Sequence, residues 1–155
     1  MNDFLLSLSK NDTARSVIKK LGLPIPMPQE LRRDTGPRTE RPLDDRNVAV
    51  SAAPGSRTSE VLAETLAEAG ANPFVENDDQ KDPFQEPGEA YGRPPTTIRE
   101  NGTTDFDVLV FDATSFESTA DLDRLYEFFN PLLGRLNKCG SVLVVGRSDA
   151  EEISP

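Results

Sequence analysis

Apolar positions recur along this chain in two rhythms. Short blocks of consecutive or alternating apolar residues, rich in Val and Phe, predict strands at Asn47–Val50, Pro73–Glu76, Asp107–Asp112 and Ser141–Gly146. Between them, apolar residues return at three- and four-residue spacing. Val61, Leu62, Thr65, Leu66 and Ala69 predict a helix over about Thr58–Ala69, closed by Gly70. Leu122, Leu125, Tyr126, Phe128 and Phe129 predict another, capped by Ser118 or Thr119, bent at Pro131 and continued through Leu136 to a stop at Cys139-Gly140. Strands alternating with helices in this way form two βαβ units. The predicted fold class is therefore α/β: a doubly wound, mostly parallel sheet of degenerate Rossmann or flavodoxin-like type. The last two strands are nearly unbroken apolar runs, which reads as burial on both faces. No helix follows the final strand, so one face of the sheet is expected to take its cover from elsewhere.

The flanks break the pattern. Phe4, Leu5 and Leu8, then Val17, Ile18 and Leu21, suggest two short amphipathic helices, and Leu23-Pro24-Ile25-Pro26-Met27-Pro28 an extended strap. With the charged linker Leu31–Arg46 they make an amino-terminal helical arm, residues 1–46. Residues 47–146 form the α/β domain, and 147–155 a polar tail or the start of a following domain. Inside the domain, Asn77–Asp105 is acidic and proline-bearing, and it reads as a mobile insertion.

Composition narrows the function classes. The net charge is −10, but residues 1–46 carry 9 Lys/Arg against 7 Asp/Glu, and the remainder 8 against 20. An acidic body repels phosphate backbones, so nucleic acid is not an expected partner. No apolar run approaches the roughly 20 residues of a membrane span, so no membrane contact is expected. One cysteine, Cys139, precludes an internal disulfide and fits the cytoplasm. With no histidine, the common zinc and copper ligand sets are missing.

The stretches Leu31-Arg32-Arg33, Val110–Thr114, Leu125–Pro131 and Asn137–Gly146 resemble the amino-terminal, flavodoxin-like domain of high-molecular-weight bacterial 3-oxoacyl-acyl carrier protein reductases, of the short-chain dehydrogenase/reductase family. The resemblance covers most of the chain in order and is most specific over Asp107–Gly146. It implies a parent enzyme of fatty-acid metabolism that reduces a 3-oxo group with NAD(H) or NADP(H). It also implies that hydride transfer belongs to a following domain. The motifs of that domain are missing here. A reductase needs a tyrosine four residues before a lysine, whose cation lowers the phenol's pKa. Four residues after Tyr91 stands Pro95, and four after Tyr126 stands Asn130. After the first strand there is only Gly55, where the dinucleotide fingerprint asks for three glycines.

No catalytic residue, metal ligand or cofactor is therefore assigned to this chain. The weak cofactor-binding candidates are Gly55, Ser56, Arg57 and Thr58, a strand-to-helix turn whose amides, hydroxyls and guanidinium could hold a phosphate. The bland reading is a capped turn. Asp112 matches the place of a phospho-accepting aspartate, but the partner carboxylates and lysine are missing, so a strand-end aspartate is expected. Cys139 reads as a buried structural thiol. Tyr126, Phe128 and Phe129 read as core, and the run Glu76, Asp78, Asp79, Asp82 as a solvated loop. The expected function is a non-catalytic docking and oligomer-assembly domain. Its partners are its own reductase domain or a second subunit, in a full-length homo-oligomer. The alternatives are a small flavodoxin-like binding protein for a phosphate-bearing ligand, and a freestanding protein-interaction module.

Overall fold

The computed structural model describes residues 20, 37, 39–99 and 102–147. The chain divides into units Met1–Thr35 and Gly36–Pro155, and the elements below belong to the second. The expected amino-terminal helices and proline strap lie outside the described residues, as does most of the tail.

Five parallel strands form one sheet in the order β3-β2-β1-β4-β5. They are β1 (Asn47–Ala52), β2 (Asn72–Val75), β3 (Thr96–Thr97), β4 (Phe106–Asp112) and β5 (Leu136–Val145). The helices are α1 (Ser59–Glu68), α2 (Asp82–Ala90) and α3 (Asp123–Leu133), with 3₁₀ turns at Asp78–Gln80 and Thr119–Leu122. The doubly wound parallel sheet expected from the alternating pattern is present.

Strand periodicity sorts the core into two layers. Val48 and Val50 of β1, Val75 of β2 and Val110 of β4 pack against Ala63 and Leu66 of α1 and Phe84 of α2. The alternate residues, Ala49, Leu109 and Phe111, point to the other face and, with Phe106 before the register shift in β4, meet Phe128 and Leu132 of α3. Phe111 lies 5.6 Å from Phe128 and 6.2 Å from Phe129, ring centre to ring centre. Ser118 opens the segment before α3, and its amide donates to Asp121 at 2.9 Å, as capping chemistry requires.

Three expectations are corrected. Asn77–Asp105, read as a mobile insertion, carries the first 3₁₀ turn, α2 and β3, and it contributes Phe84, 4% exposed, to the first core layer. Pro83 costs α2 nothing, because the first-turn amides have no intrahelical partner. Pro87 removes one hydrogen bond, which the burial of Phe84 offsets. Gly88 is required there, since a Cβ would fall 2.5 Å from the Arg93 carbonyl oxygen.

Second, α3 ends at Leu133, and Leu136 begins β5 instead of prolonging the helix. The register with β4 jumps from Phe106↔Leu136 to Val108↔Ser141, so Asn137–Gly140 bulge out, with Cys139 at φ 63°. Third, that bulge leaves Cys139 exposed, not buried.

At the amino-terminal edge, residues 42–45 form a turn belonging to the body and not to a free linker. The Leu43 amide donates to Ala69 at 2.9 Å, and Leu43 packs on the first core layer. Arg93 ties the same turn down, with Asp44 2.7 Å and Asp45 3.2 Å from its guanidinium.

Candidate functional site

In a doubly wound sheet, ligands bind beyond the carboxyl ends of the strands, where the winding reverses. Here the chain passes from β3, at one margin, to β4 on the far side of β1. The reversal therefore falls between β1 and β4. Ala53–Thr58 at the end of β1 and Asp112–Ser115 at the end of β4 meet at this point.

The turn holding the four candidates is built around Gly55, at φ 81°, a conformation only glycine adopts without strain. Its polar groups face inward. The Ala53 amide and the Ser56 hydroxyl donate to the Asp112 carbonyl at 2.9 and 3.1 Å. The Thr58 hydroxyl donates to Asp112 Oδ2 instead of capping α1. Thr114 donates to Oδ1 from both its amide, at 2.9 Å, and its hydroxyl, at 2.6 Å. Asp112 is 0% exposed. Burial pushes its carboxyl up, but the hydroxyls of Thr114 and Thr58 and the Thr114 amide outweigh it, and the pKa lies below the ordinary carboxylate value. Arg57 is exposed to solvent, while Ser56 and Thr58 are half-buried.

A cleft of about 310 Å³ opens beside this turn, between the ends of β1 and β2 and the start of α2. Ser56, Ser59, Asn77 and Gln80 supply its polar wall, and Pro83 and Phe84 its apolar one. Gln80 Nε2 donates to the Ala52 carbonyl at 3.2 Å, and the Ser51 hydroxyl donates to Glu76. Among the described residues Asp79 is the only charged one of the lining. These residues do not suit a dinucleotide's pyrophosphate: the turn hydroxyls are committed to Asp112, the glycine fingerprint is missing, and the charge in the cleft is negative. Among the described residues no group of three or more acidic or cysteine side chains could hold a metal ion.

No protein-family model matches the chain, and no curated protein sequence does. Solved structures do match. A short-chain dehydrogenase/reductase double mutant from Serratia marcescens aligns over 74% of this chain and 60% of its own, with 16% identity and TM-score 0.50. BdcA in complex with NADPH aligns over 72% and 55%, with 15% identity and TM-score 0.47. A hydroxysteroid dehydrogenase from Escherichia coli aligns over 71% and 59%, with 19% identity and TM-score 0.46. The chain thus spans 55–60% of the length of these three structures. The Serratia likeness bears out a Rossmann-like α/β fold.

Two site features escaped sequence reasoning. Glu76 follows β2 about twenty residues after Gly55, the spacing at which dinucleotide folds place a ribose-binding acid. That spacing could have singled it out of the acidic run. The role of Asp112 had no local signal, since Thr58 lies 54 residues from it in sequence. Of the aromatic trio, Phe128 is core as expected, while Tyr126 is exposed. Among the described residues no helix is long and apolar enough to cross a membrane.

Proposed function

We propose that this chain is the non-catalytic amino-terminal domain, or part of it, of a cytoplasmic, nicotinamide-dependent 3-oxoacyl thioester reductase of fatty-acid metabolism. Its role is to dock on its own reductase domain and to shape a homo-oligomer. The observation that carries the docking role is β5. It is the outermost strand on its side among the described residues, yet its sequence is that of a central strand. Val142, Leu143 and Val144 are 48%, 50% and 46% exposed, on both faces of the sheet. From Ser141 to Val145 the strand is uncharged, extended and largely apolar, and such a margin invites a further strand or sheet cover. We assign that cover to the reductase polypeptide. The resemblance over Asp107–Gly146 includes most of β4 and all of β5 and supports the same parentage.

The inward-facing turn supports a nicotinamide held by the following domain instead of by this one. A phosphate-bearing ligand at Gly55–Thr58 gains nothing from the geometry, because Ser56 and Thr58 already have partners. The decisive experiment reads the transcript beyond the codon for Pro155. An open frame with a glycine-rich strand–turn–helix and a Tyr-x-x-x-Lys pair is expected, and a frame lacking both would overturn the proposal.

Two outcomes follow for the chain itself. Purified, it is expected to give no turnover of acetoacetyl thioesters with NADH or NADPH above a matched blank, for want of the tyrosine–lysine pair. It is also expected to bind an apolar reporter dye through β5. Val142→Lys combined with Val144→Lys should cut that dye signal several-fold and leave thermal unfolding within about 5 °C, since both side chains are half-exposed. An unchanged signal would place the apolar surface elsewhere.

A further inference from the structure

A second cavity shares no lining residue with the switch point. Among its described residues, the crossover from β3 to β4 carries no helix, although parallel connections usually do. Among the described residues, no helix covers the face of β2 and β3 opposite α1 and α2. A groove of about 680 Å³ runs there, between the sheet and the crossover. Phe74 and Ile98 supply its apolar surface, and Thr96, Thr97, Thr103 and Thr104 its hydroxyls. Among the described residues the charged groups lining it are Arg99 and Arg135, in a protein of net charge −10.

The two arginines have donors to spare. Arg135 gives Nε to the Thr104 carbonyl at 2.9 Å and one Nη to the Arg99 carbonyl at 3.0 Å, and its guanidinium stacks 4.8 Å above the Phe106 ring. These contacts fix the plane of the fork and leave its second Nη without a partner among the described residues. Gly102 keeps space open beside that nitrogen, since a Cβ would sit 3.2 Å from it. The Arg99 side chain has no hydrogen bond or ion pair among the described residues. An arginine preset in orientation, a second one free to close, and hydroxyls around an apolar floor suit an oxyanion carried on an apolar body.

We propose that this groove binds a small organic oxyanion, a phosphate monoester or a carboxylate on an apolar group, with Arg99 and Arg135 on the head and Phe74 and Ile98 against the body. This goes beyond the domain assignment above and stands or falls separately from it. The test titrates the full chain, followed by amide NMR shifts, with phenyl phosphate, benzoate and inorganic phosphate. Saturable binding of phenyl phosphate or benzoate is expected, with shifts at residues 96–99 and 102–104. Whichever of the two binds more tightly identifies the head group. Arg99→Gln should weaken that binding at least tenfold without moving the thermal midpoint, and raising the salt concentration should weaken it further. The proposal is overturned if neither organic anion saturates, if inorganic phosphate binds as tightly as both, or if Arg99→Gln binds like the parent.

Discussion

Replacing Asp112 with alanine is expected to lower the stability of the domain by about 3 kcal/mol, the cost of leaving two or three buried donors without an acceptor at roughly 1–3 kcal/mol each, less some relaxation. In a domain of this size that is a fall of roughly 10 °C or more in thermal midpoint. The donors are the hydroxyls of Thr58 and Thr114 and the Thr114 amide, which hold the ends of β1 and β4 together. Asp112→Asn keeps one carbonyl acceptor and should fall between the two. The effect has a pH signature. Because the folded pKa is depressed, ionised Asp112 contributes stability that is fully present above its unfolded value of about 4 and is lost as pH falls through the folded pKa. The gap between parent and Asp112→Ala should thus be widest near neutrality and shrink below about pH 4. Denaturant unfolding across that range measures it, and a gap independent of pH would show that the carboxylate's charge contributes nothing.

The elements that could be read from sequence are those whose local pattern and tertiary role agree. β1 and β4 are dense in Val and Phe because each has a strand on both sides and a layer on both faces. In α1, apolar residues at helical spacing place Ala63 and Leu66 in the core. Elsewhere tertiary contacts override weak or contrary local signals. β3 is two threonines long and has no period to detect. α2 contains two prolines and a glycine, and a propensity argument rejects it. β5 begins inside what reads as a helix terminus, because Leu136 serves equally as the last apolar position of a helix or the first of a strand. The site was half legible. The turn at Gly55 announces itself through Pro-Gly, but its hydroxyls find their acceptors on the backbone carbonyl and the carboxylate of Asp112, more than fifty residues away.

Replacing Asn77–Asp105 with a glycine–serine linker is expected to abolish cooperative unfolding, where the acidic composition alone predicts a tolerated loop deletion. The segment's contribution is concentrated in a few contacts. Phe84 packs among Val75, Leu66 and their neighbours in the first core layer, and Phe84→Ala alone should cost roughly 3–5 kcal/mol through the cavity it leaves. β3 covers one edge of β2, with the Ile98 amide donating to the Val75 carbonyl at 2.8 Å. Ile98 itself packs on the second core layer, and the Arg135 side chain loses its Arg99 and Thr104 acceptors when the segment goes. Together these losses match or exceed the about 5–15 kcal/mol by which a domain of this kind is stable. The deletion variant should therefore show a broad, non-cooperative melt by circular dichroism, and Phe84→Ala a cooperative one shifted down by 10 °C or more. A sharp transition in the deletion variant within about 10 °C of the parent would mean that α2 and β3 add nothing the rest of the sheet cannot supply.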